Sequence, residues 1–352
     1  MSRTALDFLK IDGDYLEGGG QILRTAAGLS CITGRPIKVS NIRARRPNPG
    51  LKAQHLHTLK TLADLFDAKT EGLVMDSQEI VFCPQREKAL KQSLDIDIGT
   101  AGAIGLLLQP LLLVAAFRSE GLFLNIKGGT CGLGAIPIDY YPNCIFPILA
   151  KSGLRAELTI FRRGYYPQGG GEVSVSIEPI KHSKSINLSQ QGSLKRISGA
   201  SIASQDLIKK DVAQRQAKAA RELLENKFSC PVSISAEYVE TYSVSSEINL
   251  YAHMNERIIL GADSRGEITK PAEIVGKQAA QVLMDEINSG AACDVHLADN
   301  IIPWLCLLGG IVRTSQISKH TQTNMWVAEQ FFGKIFNIED NTISVENRNE
   351  AL

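Results

Sequence analysis

One order of elements recurs along this chain, and that recurrence restricts its fold more than any other feature. Residues 18–34, GGGQILRTAAGLSCITG, read as a helix, and PIKVSNIRA (36–44) follows as a strand. GLKAQHLHTLKTLADLF then places Leu51, Leu56, Leu59, Leu62 and Phe66 on one stripe of an amphipathic helix. Two strands, near EGLVMD and EIVFCP, close the unit. The order returns as an apolar helix (101–117), the strand LFLNIKGG (122–129), a helix over 138–153, and the strands AELTIFRRG and GEVSVSIEP. It returns again as LADNIIPWLCLLGG (297–310), IVRTSQIS (311–318), TQTNMWVAEQFFG (321–333), KIFNIED and TISVEN.

The leading helices carry the amides Gln21, Gln109 and Asn300. The first two lie 88 residues apart, the last two 191. A module's worth of extra chain therefore separates the second and third units. Its sequence is of another kind: a strand RISGASIAS, a helix DVAQRQAKAARELLENK, then the strands PVSISAEYV, EINLYAHM and RIILGADS. This reads as an inserted α/β domain over roughly 187–269.

The stretch 101–117, AGAIGLLLQPLLLVAAF, is apolar enough to suggest a membrane span. It is short, and it contains Gln109 and Pro110, so a buried core helix is expected. The opening MSRTALDFLKIDGD has no apolar signal region. Seven scattered cysteines without a CxxC argue against a zinc knuckle or redox pair and suit reduced thiols in the cytoplasm. Net charge is +1, so contact with nucleic acid would use a local patch rather than a global field.

Three stretches offer such patches. In LEGGGQILR (16–24), glycines at a helix start let a ligand approach backbone N–H groups, which favour anions. Glu17 repels a bare phosphate there and suits a divalent cation shared with phosphates. Arg24, two turns on, reaches an anion. A glycine-rich turn with a solvated glutamate accounts for the same residues. IRARRPNPGLKAQH (42–55) concentrates Arg43, Arg45, Arg46 and Lys52 around two prolines, as a phosphate-gripping loop or a solvated basic one. FRRGYYPQGGGEV (161–173) interleaves Arg162 and Arg163 with Tyr165 and Tyr166. That pattern suits single-stranded nucleic acid or a plain hairpin.

ISKHTQTNMW (317–326) sets a histidine at a strand-to-helix junction among hydroxyls and amides. No HExxH and no GxSxG occurs, which disfavours a zinc hydrolase or a serine elbow. His320 is left as nucleophile or general base, with Asp299 expected near it.

Together, EGGGQILR (17–24), IRARRPNPGLKAQHL (42–56), RGYYPQGGGEV (163–173), HLADN (296–300) and HTQTN (320–324) resemble the RNA 3′-terminal phosphate cyclase family, in order and over nearly the whole chain. The resemblance implies an α/β (α+β) fold of three βαβαββ-type repeats (about 1–95, 96–186 and 270–345). These form a large domain over 1–186 and 270–345, with one smaller α/β domain inserted at 187–269. The fold is related to that of the enolpyruvyl transferases.

The resemblance also implies an ATP-dependent enzyme. A histidine takes AMP from ATP, AMP passes to an RNA 3′-terminal phosphate, and the adjacent 2′-hydroxyl closes a 2′,3′-cyclic phosphodiester. By resemblance His320 is the nucleophile and Glu17 the ligand of a divalent cation, Mg or Mn. Gln109, Pro137, His296, Leu297, Ala298, Asp299 and Asn300 match ATP-contacting positions. Gln21, Arg24, Arg43, Arg46 and Gln54 match positions around the phosphates or the RNA end. The chain has His296 where the family often has tyrosine, Asn300 where it often has glutamine, Ile136 where proline is common, and Ala44-Arg45 in the basic loop. The expected partners are ATP and RNA, with no membrane. Oligomeric state, metal preference and natural RNA stay open. A non-catalytic relative acting in ribosome biogenesis, an enolpyruvyl-type transferase and an RNA-binding module are the competing readings. His320 argues against the first of these, and the nucleotide motifs against the second.

Overall fold

The computed structural model describes residues 7–85, 92–132 and 134–346; residues 1–6 of the stretch read for a signal lie outside it. β1 (Leu9–Asp12), α1 (Gly20–Thr33), β2 (Ile37–Ser40), α2 (Ala53–Phe66), β3 (Lys69–Glu71) and β4 (Ile80–Cys83) build a first sheet in the order β1-β2-β4-β3. β1 and β2 are parallel, and the remaining pairs antiparallel. A parallel pair requires a crossover, which α1 supplies, whereas β3 and β4 need only a short turn. The next elements are β5 (Ser93–Asp97), α3 (Ile104–Ala116), β6 (Leu122–Gly128), α4 (Phe146–Ala150), β7 (Arg155–Arg162) and β8 (Gly171–Glu178). They repeat that topology as β5-β6-β8-β7.

The third such sheet is split in sequence. Its first strand is β9 (Ile186–Leu188), and the chain then leaves it. β10 (Leu194–Ser204), α5 (Val212–Lys227), β11 (Val232–Val239), β12 (Ser246–Met254) and β13 (Ile259–Arg265) form a fourth sheet in the order β11-β10-β12-β13. α5 and α6 (Ala272–Asn288) pack on each other and on this sheet. The chain returns through α7 (Val295–Leu308), β14 (Gly310–Arg313), α8 (Lys319–Phe332), β15 (Asn337–Glu339) and β16 (Thr342–Val345), in the order β9-β14-β16-β15.

The expected insert, 187–269, is thus displaced from the run that builds the fourth sheet. Ile186–Leu188 pairs in parallel with β14, and α6, beyond 269, covers the inserted strands. INL is too short to carry a periodic signal. The apolar face of α6 looks the same in sequence whichever sheet it covers.

Residues 101–117 contain α3, whose apolar residues are buried almost all round, as suits a core helix. No helix among the described residues is long and apolar enough to cross a membrane. α1, α3, α7 and α8 pack together between the repeated sheets.

Two buried polar joints fix the inserted sheet to this body. Tyr140 Oη and the Gly261 N–H donate to Asp294 at 2.6 and 2.8 Å, and the Leu297 N–H donates to the same carboxylate at 2.9 Å, capping α7. Arg163 forks onto Asp139 at 2.6 and 2.8 Å and donates to Glu247 at 3.1 Å. Tyr165 Oη also donates to Glu247, at 2.9 Å. The basic and aromatic residues at 163 and 165 are therefore structural. Tyr166 alone of the tyrosine pair is exposed.

Burial raises the Glu247 pKa, and Arg163 is the largest opposing influence. Removing Arg163 strands a carboxylate that is wholly inside the protein. Arg163→Met is expected to lower stability by about 3–5 kcal/mol. Urea unfolding measures this; an unchanged midpoint would mean that the ion pair does not join the two sheets.

Candidate active site

The start of α1 requires glycine. A Cβ on Gly20 would lie 1.9 Å from Nε2 of His55, which is buried at the start of α2. His55 Nδ1 accepts from the Lys52 N–H at 3.1 Å, so Nε2 carries the ring proton. Burial, then Arg24, Arg43 and Lys52, push the His55 pKa down to about 3. A neutral imidazole thus wedges two helix starts together. Sequence reasoning gave His55 no role, because a lone histidine in a basic loop carries no burial signal.

The α1 side of this junction forms one wall of a cleft of about 550 Å³, lined by Gln21, Arg24, Gln109, His296, Asp299, Asn300 and His320 among others. Those are seven of the residues singled out in the sequence, contributed by α1, α3, α7 and α8. Glu17 sits at the edge, 3.4 Å from His320 Nε2 and 3.9 Å from an Arg46 nitrogen. Arg46 also lies against Gly19. Arg43 has a left-handed backbone (φ 56°) and donates to the Asn48 carbonyl at 3.1 Å. Gln54 Oε1 accepts from the Ala103 N–H at 3.3 Å, joining α2 to the start of α3. Leu297 and Ala298 point into the core. They and Pro137 are not among the cleft-lining residues, although Ile136 is.

His320 is the second residue of α8. Ser318 caps that helix, its Oγ accepting from the Thr321 N–H at 2.9 Å. The Gln21 amide donates to the His320 carbonyl at 3.1 Å, tying the junction to α1. His320 Nδ1 is buried without a partner while the side chain as a whole is 45% exposed, so Nε2 is the accessible nitrogen.

Asp299 bonds the turn that carries His320 rather than the imidazole itself. Its Oδ1 accepts from the hydroxyls of Ser318 and Thr321, the latter at 2.7 Å, and so fixes the turn on both sides of His320. Burial raises the Asp299 pKa, and the Ser318 and Thr321 hydrogen bonds oppose that shift. Asn324 extends the lattice: it donates to the Asp299 carbonyl at 2.6 Å and accepts from Thr25 on α1 at 2.7 Å.

Electrostatically, the α1 side of the cleft is dominated by guanidiniums. Arg24 is buried, and burial lowers its pKa to about 10, with Tyr141 opposing and Arg43 reinforcing the shift. Burial and Arg46 likewise lower the Arg43 pKa. Mutually repelling guanidiniums at a helix start are relieved by a polyanion.

The far wall was not found from sequence. β13 and the loop after it supply Asp263, Ser264, Arg265, Glu267 and Lys270. Asp263 Oδ1 lies 3.8 Å from His296 Nε2, and His296 meets Tyr140 edge-on at 6.2 Å. RIILGADS reads simply as a strand, and its place at the cleft depends on the Asp294 joint.

A family model described as RNA 3′-terminal phosphate cyclase matches residues 15–338. Proteins named RNA 3′-terminal phosphate cyclase are similar along nearly the whole chain. That of Pyrococcus abyssi is 42% identical over 331 residues, covering 94% of this chain and 95% of the relative. That of Methanopyrus kandleri is 40% identical over 336 residues, 93% and 94% of the two chains. That of Methanococcoides burtonii is 42% identical over 333 residues, 94% and 96%.

Two outcomes follow from the His55 wedge. Gly20→Ala overpacks it and is expected to cost about 1–3 kcal/mol, with His55→Ala in the same chain recovering part of the loss. If the double variant unfolds as easily as the sum of the singles predicts, the two residues are not in conflict. The second outcome concerns pH. The folded pKa of about 3 lies below the ordinary 6.5, so the stability from neutral His55 is complete above pH 6.5 and is lost as pH falls towards 3. The slope is about 1.4 kcal/mol per pH unit for the one extra proton bound on unfolding. Urea midpoints against pH for wild type and His55→Asn measure it, and parallel curves would count against the assignment.

Proposed function

The chain belongs to the RNA 3′-terminal phosphate cyclase family, and we propose that it uses ATP to close an RNA 3′-terminal phosphate into a 2′,3′-cyclic phosphodiester through a covalent AMP on His320. The observation that carries this reading is His320 Nε2, accessible at the cleft edge 3.4 Å from Glu17, in a cleft also lined by Arg24, which has no ion pair among the described residues.

The imidazole attacks the α-phosphorus of ATP. An N–P bond forms and pyrophosphate leaves. An oxygen of the RNA 3′-phosphate then attacks the same phosphorus and releases the histidine, giving an RNA-phosphate–AMP anhydride. The neighbouring 2′-hydroxyl attacks the 3′-phosphorus, AMP leaves, and the hydroxyl proton passes to solvent. A bare phosphate monoester lacks a good leaving group, which adenylylation provides. Closure is favoured because the hydroxyl is already adjacent.

Arg24, Arg43 and Arg46 offset the charge of the triphosphate and the RNA end, and Gln54 adds an uncharged amide donor. Gln21 and the Asp299 lattice hold the turn that carries His320. Gln109, His296, Asp299 and Asn300 line the nucleoside side, with Pro137 and the backbone of Leu297 and Ala298 adjoining. Glu17 fits a divalent cation, Mg or Mn, that takes most of its ligands from phosphate and water. It is a single carboxylate, and no group of three His, Cys, Asp or Glu able to cage an ion occurs among the described residues. When bound, that cation supplies further charge neutralisation on the phosphates. The seven cysteines are free, which supports placing the reaction in the reducing cytoplasm.

Incubation with α-³²P-ATP and Mg²⁺ or Mn²⁺, followed by a denaturing gel, tests the reading. Wild type is expected to carry an acid-labile, alkali-stable label, and His320→Ala none. A label persisting in the variant moves the nucleophile elsewhere. A wild type that takes no label, even with RNA 3′-phosphate present, leaves the non-catalytic relative as the better account.

A further inference from the structure

The cleft does not end at the wall that β13 provides. A second cavity, of about 380 Å³, opens behind that wall, and Glu267 and Lys270 line both. Its size falls within the roughly 300–1,000 Å³ of ordinary ligand sites. Leu207, Val212, Val244, Pro271 and Val275 give it an apolar lining, and Lys210 and Arg215 stand at its edge. Ile268, at the crest of the loop between the two cavities, is fully exposed, and Val244 is 57% exposed. Ile268 takes no part in the hydrophobic core and stands wholly in water at the mouth of this cavity.

The charges along this route are unequal. Glu267 pairs with Lys270, and Glu273 pairs with Arg215 at 2.7 Å. Lys210 and the Arg265 guanidinium have no ion pair among the described residues, although Arg265 lines the active cleft. The route from cleft to second cavity therefore sets apolar side chains beside Gln216, Ser245 and Ser246, with Lys210 and Arg265 free of ion pairs among the described residues and Arg265 within electrostatic reach of Glu267. Those features match a single strand of nucleic acid, whose bases seek apolar surfaces while its phosphates seek cations.

We propose that the inserted sheet guides the RNA strand. Arg265 grips the phosphodiester next to the reacting 3′ end, the strand crosses the loop at Ile268, and an upstream base enters the second cavity between Val244 and Leu207. The inserted module is then the part of the enzyme that tells a polynucleotide end from a small phosphate. This rests on the reading of the cleft as a cyclase site.

Fluorescence anisotropy tests it independently of turnover, with 5′-labelled RNA 3′-phosphates of two lengths, a dinucleotide and a longer oligonucleotide, over a range of salt. Wild type is expected to bind the longer strand more tightly. Ile268→Asp and Lys210→Glu, both on exposed or partly exposed surface, should each remove most of that advantage, about tenfold in Kd. Arg265→Ala should flatten the dependence of log Kd on log salt by about 0.7, one phosphate contact to a single strand. A length advantage that survives both substitutions, or a wild type without one, overturns the proposal. Self-labelling with ATP alone reports separately on His320, so loss of the cyclase reading and loss of this strand path are distinguishable.

Discussion

The Asp294 carboxylate, wholly buried, is the joint on which the arrangement of this protein depends. It accepts from Tyr140 of the second repeat, from the backbone of Gly261 in the inserted sheet, and from the first turn of α7. A buried carboxylate is tolerated only when its oxygens are satisfied, and these donors come from three separate stretches of chain. Moving any one of the three leaves the buried carboxylate a donor short. β13 therefore has one position relative to α7, and the cleft has a second wall. The Arg163–Glu247 joint holds the far end of the same sheet, at β12, so the inserted module is anchored along two strands rather than hinged on one.

Within the cleft, a similar lattice is built from weaker groups. Asp299, Ser318, Thr321, Asn324 and Thr25 link α7, α8 and α1 through hydroxyls and amides. Its effect is to immobilise the turn carrying His320 while leaving the imidazole itself outside the network. A nucleophile has to meet phosphorus at short range and in line, and that demands a fixed backbone with a free ring nitrogen. Had Asp299 bonded the imidazole directly, it would have oriented the ring at the expense of that freedom.

How much of this was legible in the sequence depended on the range of each signal. The repeat was visible because hydrophobic periodicity is local, and it located α1, α2, α3, α7 and α8 to within a few residues. The glycine run and the histidine junction were visible because helix starts demand particular residues. The contribution of β13 was not, since Asp263 and Arg265 reach the cleft through a joint made 33 residues further on, between Gly261 and Asp294. Tyr165 and Arg163 misled for the converse reason. Basic and aromatic residues side by side satisfy a nucleic-acid pattern and a buried ion-pair pattern equally, and only the acidic partner Glu247, on a strand 84 residues beyond Arg163, decides between them. β9 was hidden by its length: INL has no period to read, and its parallel partner lies across the whole insert.

The placement of the histidine one residue inside α8 has an electrostatic consequence for the proposed chemistry. The N–H groups of a helix's first turn carry partial positive charge, and the Ser318 hydroxyl satisfies only that of Thr321. α1 also begins at the cleft, so two helix starts and the Arg24 guanidinium face the same volume. An attack on the α-phosphorus gathers negative charge on its oxygens and on the departing pyrophosphate, inside that field. The donors are already fixed by the Asp299 lattice and the His55 wedge, so little reorganisation is needed as the charge shifts. Glu17, 3.4 Å from Nε2, is the carboxylate that opposes this field, and in the proposed reaction a cation shared with the incoming phosphates would offset its charge.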